Sequence, residues 1–261
     1  MQRKRIITGI IAIPIITAII FYSPIMLSIF TWTVITFAMG EYYNMEKLPI
    51  KIDFTIFAGF SLILCFLALK NNFPLFNIIF IMLLVTLWVL HCKKINSKHF
   101  LLISIGNIYI TYSFSHLLFL RNIPELGARY VFFIFLLVWI TDTSAYFIGT
   151  NYGKHKLAPN ISPKKTKEGT IAGIIGAVLV TLLAKFTFIP ALTLPRCFII
   201  GITFSMVAQI GDLFESALKR KANLKDSGNL IPGHGGVLDR FDSLLFTIPS
   251  WYYYVKLVLE R

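Results

Sequence analysis

Long apolar runs separated by short polar breaks dominate the chain. They lie near 6–22, 24–40, 54–70, 73–91, 100–120, 129–148, 170–189, 196–214 and 243–259. A hydrocarbon core about 30 Å thick is crossed by about 20 residues of helix, so each run predicts one crossing. The second is short, and the first two can instead form one tight hairpin. Met1–Phe21 opens with Arg3, Lys4 and Arg5 before its apolar stretch, the shape of a secretory leader. No small-x-small cleavage site follows and more apolar runs come at once, so the reading is a retained first helix. The pattern predicts an all-α polytopic integral membrane protein with about nine transmembrane helices.

Composition removes the soluble alternative. Of 261 residues, 56% are hydrophobic and 14% charged, and mean hydropathy is +0.74; soluble domains carry roughly 25% charged residues. A water-soluble fold would have to expose large apolar patches, which aggregate. The net charge of +13 would suggest nucleic acid in a soluble protein. Here the cations gather in short loops between apolar runs, as at Lys164, Lys165 and Lys167 or at Lys219, Arg220 and Lys221. Counting loops alternately from a cytoplasmic N-terminus puts most of the 25 lysines and arginines inside, as positively charged loops require. The expected location is the cell inner (plasma) membrane, with N-terminus and chemistry cytoplasmic and the C-terminus external. The three cysteines have no metal-ligand spacing and imply no disulfide framework.

The two halves differ. Residues 1–140 are N-terminal apolar helices with simple loops. Residues 141–261 form a C-terminal region with two long cytoplasmic loops, 149–169 and 215–242, that hold most of the polar chemistry. There is no internal repeat, so the repeat architecture of many transporters has no support.

The densest chemistry runs from Ser216 through Lys219, Arg220, Lys225, Asp226, Pro232-Gly233-His234-Gly235-Gly236, Asp239 and Arg240 to Asp242. Glycines let the backbone bend sharply and approach a ligand, and successive N–H groups in such a loop form an anion nest. The four cations add positive charge, and Asp226, Asp239 and Asp242 are hard oxygen ligands suited to Mg²⁺. Phosphate donors beside metal-binding carboxylates are what nucleotide chemistry needs; turn glycines in a solvated loop are the plain alternative. His234 can bind phosphate or shuttle a proton, or be a turn histidine facing water. Asp212 and Asp142 stand at the inner ends of apolar runs, where a carboxylate is costly unless paired, coordinated or wet. Asp142 can equally be an inter-helix hydrogen-bond partner. On a helix Asp212, Ser216 and Lys219 share a face. Ser162 and Thr166 can donate to phosphate, with Lys164 and Lys165 neutralising it, or this loop can contact anionic lipid heads.

At these residues the chain resembles the phosphatidate cytidylyltransferase (CDP-diacylglycerol synthase) family. That family's pattern is Ser-x-apolar-Lys-Arg, Lys-Asp-x-small, then apolar-Pro-x-His-Gly-Gly-apolar-x-Asp-Arg-apolar-Asp, and Ser216 through Asp242 meets every fixed position. Gly153–Pro159, Ser162–Gly169 and Asp142–Phe147 are also similar to it. Ser144, Asn151 and Lys167 depart from the usual residues there, and none removes a proposed ligand. The resemblance implies transfer of a cytidylyl group from CTP to phosphatidic acid, with diphosphate released. It implies Asp212 and Asp239 as holders of the catalytic cations, with Lys219 and Arg240 beside them, and Asp142, Asp226 and Asp242 as further candidate ligands. The cofactor is then Mg²⁺, with a second cation, monovalent among the options. Ser162, Lys164, Lys165, Thr166, Ser216, Arg220, Lys225, His234, Gly235 and Gly236 would bind substrate. The implied partners are CTP, phosphatidic acid, the bilayer and a second copy in a homodimer, and no nucleic acid. A CTP-dependent polyprenol or dolichol kinase and an anion or nucleotide transporter are the alternatives.

Overall fold

The computed structural model describes residues 2–48, 51–92, 97–230 and 235–260. The described residues are helical apart from one small hairpin, and each expected span is occupied by helix. The helices are α1 Gln2–Tyr22, α2 Pro24–Met45, α3 Lys51–Leu69, α4 Phe73–Cys92, α5 Ser97–Gly106, α6 Ser113–Arg121, α7 Gly127–Asn151, α8 Lys167–Thr187, α9 Leu194–Lys221 and α10 Leu238–Tyr254. A wider π-helical turn at Asn107–Tyr112 joins α5 to α6 as one rod, and another at Val255–Leu259 extends α10. Among the described residues five stretches are long and apolar enough to cross a bilayer alone: Pro24–Met45, His99–Arg121, Gly127–Asn151, Lys167–Thr187 and Leu194–Lys221.

The solvent for these helices is read from their outer faces. On α8 the stripe Ile171, Ile175, Leu179 and Leu183 is 54–61% exposed, one residue per turn along one side. On α9, Phe198, Ile202, Met206 and Ile210 repeat the arrangement. Aliphatic stripes of this length belong against lipid, and helices suit lipid because they satisfy every backbone polar group internally. The protein is an all-α polytopic membrane protein.

The chain forms two compact units. One is Met1–Pro124 with Asp226–Arg240; the other is Glu125–Lys225 with Phe241–Arg261. In the first unit polar side chains tie helix ends. Ser23 caps α2 by accepting from the Ile25 N–H at 3.2 Å, and Arg121 Nε donates to the Ile20 carbonyl at 2.9 Å. Asn122 Nδ2 reaches the last carbonyls of α3, Ala68 and Leu69, both at 2.9 Å. Tyr42 sends its hydroxyl to the Leu102 carbonyl at 2.9 Å, so the C-terminal end of α2 is fixed against α5.

In the second unit α8 packs against both α7 and α9. Small residues set the approach: a Cβ built on Gly201 of α9 would lie 2.6 Å from Val178 Cα, and one on Gly176 of α8 would lie 2.6 Å from Ser144 Oγ. Trp251 of α10 is fully buried among Tyr130, Phe133, Phe204 and Tyr254, and its indole N–H donates to the Tyr130 carbonyl at 3.2 Å. The two polar loops are shorter than their sequence bounds. Helix α7 runs on to Asn151 and α9 to Lys221, so intrahelical hydrogen bonding claims both edges. Within 149–169 an antiparallel hairpin forms, β1 Lys156–Ala158 with β2 Ser162–Thr166.

Gly201→Ala tests this contact. The methyl meets backbone that cannot yield, so destabilisation of about 1–3 kcal/mol is expected, read as a fall in detergent-solubilised Tm. Gly59→Ala is the control: nothing lies within 4 Å of its Cβ position, and alanine's helix preference over glycine, worth about 1 kcal/mol, should leave Tm unchanged or raised.

Candidate active site

The sequence-selected residues fall into two clusters, one in each unit. In the first unit the glycine loop is gathered by carboxylates. Asp239, in the first turn of α10, takes the Ser227 N–H at 2.9 Å and the Gly236 N–H at 2.8 Å on the same oxygen, Oδ2. Gly235 has φ of +84°, a conformation glycine adopts without strain, and a Cβ there would lie 2.6 Å from Asp239 Oδ2. Beneath the loop lies Glu41 of α2, only 5% exposed. It accepts from Ser227 Oγ at 3.0 Å and from the Val237 and Leu238 N–H groups, each at 2.9 Å. The last two are free donors at the start of α10, so Glu41 caps that helix from a distant part of the chain. Asp226 and Lys225 are exposed beside the loop, as is Arg240. His234, with Pro232 and Gly233, lies outside the described residues.

In the second unit the basic hairpin meets α9. Lys165 Nζ stands 2.8 Å from Asp212 Oδ2, and Ser216 Oγ lies 3.4 Å from Asp212 Oδ1 one turn on, the helical face expected from spacing. Lys219, further along α9, has Nζ 2.5 Å from Glu215 Oε2; Glu215 is fully buried. Asp242 feels the negative charge of Asp212, then Glu215, then Asp142, so four carboxylates share one electrostatic neighbourhood with two lysines. Arg220 braces the backbone, donating to the Ile161 carbonyl at 3.2 Å and the Leu224 carbonyl at 2.9 Å.

Thr166 is 3% exposed and its hydroxyl accepts from the Gly169 N–H at 3.2 Å. It is the N-cap of α8, and Gly149 and Gly153 leave room for it. The His155 imidazole lies 2.6 Å from Glu168 Oε1 and, with nearby backbone N–H groups, holds that carboxyl down to about 2. Ser162 is half-buried and Lys164 exposed on β2. From Glu168 an apolar groove of about 740 Å³ runs between α7 and α8, past Phe147, Ile171, Ile175 and Leu179.

Whether these residues suit a magnesium ion is a question of donor chemistry. The charges of Asp212, Glu215 and Asp142 act on Asp242, and repulsion of this kind favours an added cation. Among the described residues no three His, Cys, Asp or Glu side chains form a metal-holding group. Magnesium in nucleotide sites takes one or two carboxylates and completes its shell with phosphates and water, so one or two aspartates at a time suffice.

Glu41 and Glu215 were not selected from sequence. A lone acid at the inner end of an apolar run is the signal that singled out Asp212, and Glu41 carries the same signal in the half that looked purely apolar.

Backbone-bound carboxylates, lysine-paired acids and lipid-facing helices are compatible with a membrane enzyme acting on phosphates. Residues 3–258 match the model of the cytidylyltransferase family; the chain belongs to this family, and is a nucleotidyltransferase. It is 35% identical to the phosphatidate cytidylyltransferase of Bacillus subtilis (strain 168), over 98% of both chains. It is also 35% identical to that of Staphylococcus saprophyticus and 34% identical to that of Staphylococcus aureus (strain COL), each over 95% of this chain and 96% of the relative.

Lys165→Ala removes the cation facing Asp212 and leaves that carboxylate among like charges. Cytidylyl transfer should lose at least tenfold in kcat/KM, about 1.4 kcal/mol, and the loss in exposed Lys164→Ala should be smaller. Steady-state kinetics in detergent with excess Mg²⁺ checks both.

Proposed function

We propose that this chain is a phosphatidate cytidylyltransferase. A phosphate oxygen of phosphatidic acid attacks the α-phosphorus of CTP in line, the bond from that phosphorus to the bridging oxygen breaks, diphosphate leaves, and CDP-diacylglycerol stays in the membrane. The observation that carries this reading is the convergence of the Ser227 and Gly236 N–H groups on Asp239, in a chain that matches relatives of that name over nearly its whole length.

The lipid phosphate is already an anionic nucleophile at neutral pH, so no strong general base is required and none is assigned. Charge is the obstacle. Two substrates bearing several negative charges must meet, at a cost of several kcal/mol at an effective dielectric of about 20. Lys165 and Lys219 are positioned to be shared between resident carboxylates and incoming phosphate, while Lys164, Lys225 and Arg240 are solvent-exposed cations able to gather the triphosphate. Asp212 and Asp239 are the proposed magnesium holders, with Asp142, Asp226 and Asp242 in reserve; the ion would neutralise triphosphate charge and stabilise departing diphosphate. The groove between α7 and α8 offers apolar surface for the lipid's chains. The basic loops support an inner (plasma) membrane location with the site facing the cytoplasm and the C-terminus outside. A homodimer is part of the proposal.

The test is release of diphosphate from CTP by purified protein. Release should require added phosphatidic acid and Mg²⁺. Asp239→Asn, which keeps the side-chain volume but removes the charge, should abolish it while leaving membrane insertion intact. Release of CDP with a polyprenol acceptor would instead identify a lipid kinase, and phosphatidate-independent behaviour would sink the proposal.

A further inference from the structure

The proposed site residues lie in the C-terminal half, yet the glycine loop is held from α2. Glu41 is a buried carboxylate whose two oxygens are both engaged by the loop: Oε1 takes the Val237 N–H, and Oε2 takes the Leu238 N–H and Ser227 Oγ. The space around it is shaped to match. A Cβ on Gly228 would lie 2.5 Å from Glu41 Oε1, and one on Gly236 would collide with both Glu41 Oε2 and Ser227 Oγ. Two glycines of the loop therefore admit this carboxylate as well as allowing the backbone to bend.

We infer that Glu41 is a positioning residue for cytidylyl transfer. It fixes Ser227 and the Gly236–Leu238 backbone at the start of α10, and thereby the direction in which Asp239 and the Gly235–Gly236 backbone face the nucleotide. This rests on the reading of the loop as part of the active site. The chemistry is specific to a carboxylate. Three donors converge on it, and a carboxylate is acceptor-only, whereas a glutamine presents an NH₂ donor to one of those N–H groups. A buried donor left facing another donor loses its hydrogen bond and gains no water in exchange.

The test compares Glu41→Gln and Ser227→Ala with wild type, as full-length protein in detergent. Two quantities are read: kcat per folded molecule for diphosphate release, and amide hydrogen exchange along the chain without substrates. Glu41→Gln should lower kcat at least tenfold. It should also speed exchange at Val237 and Leu238 at least tenfold, with protected amides of α2 and α3 within twofold of wild type. Ser227→Ala removes one donor of three and should lower kcat by about two- to fivefold. A Glu41→Gln protein with wild-type kcat per folded molecule overturns the inference. So does exchange accelerated equally through α2, α3 and the loop, since that is a general packing role. If Glu41→Gln does not accumulate, Gly228→Ala crowds the carboxylate from the other side; wild-type kcat in both Gly228→Ala and Ser227→Ala then overturns it. The exchange arm is independent of the reaction, so failure of wild type to release diphosphate would strike the functional assignment and leave the loop contact measurable.

Discussion

A carboxylate enclosed in a helical membrane protein must be met by donors or cations, because lipid supplies neither. This requirement organises the polar part of the molecule. Glu41 is met by a side-chain hydroxyl and two backbone N–H groups, Asp239 by two backbone N–H groups, Asp212 by Lys165, and Glu215 by Lys219. Each partner is held in turn. The strand pair sets Lys165, the cap at Thr166 sets the junction of strand and helix, and the start of α10 is fixed by the acid that needs its free N–H groups. Scaffold and chemistry thus use the same contacts.

The two clusters meet this requirement differently, and the difference suits their proposed tasks. Backbone N–H groups around Asp239 and Glu41 are fixed dipoles that need no rearrangement when charge arrives. Lysines are mobile point charges that can turn from a resident carboxylate to an arriving phosphate. Each device suits phosphate chemistry in its own way, one as a rigid frame and the other as an adjustable charge. Asp242 is half-buried and also faces the like charges of Asp212, Glu215 and Asp142, so a cation entering there would relieve repulsion.

Much of this was legible in the sequence because membrane helices announce themselves by length and hydropathy. All nine apolar runs are helical, and the face shared by Asp212 and Ser216 followed from spacing alone. Loop interiors were less legible. The β1–β2 hairpin is short, and its lysine-rich strand looks like any positive-inside loop. Thr166 reads from sequence as a phosphate donor, and that its hydroxyl also caps α8 was not legible there. Lys219 points to Glu215, a partner four residues back that no motif mentions. Glu41 was missed because its donors lie almost two hundred residues away, and separation of that size leaves no local pattern to read.

That separation has a consequence for how the protein is made. Glu41 and Val237 are 196 residues apart, so α2 enters the bilayer long before the donors for its acid have been synthesised. Contacts this distant carry a large loop-closure cost and form late. Until the segment around residues 227–238 emerges and docks, α2 carries an unanswered charge at the membrane edge. A chain truncated before that segment would keep most of its helices but never complete this contact. Synthesis through Leu238 is therefore a precondition for completing the polar contacts of the N-terminal half.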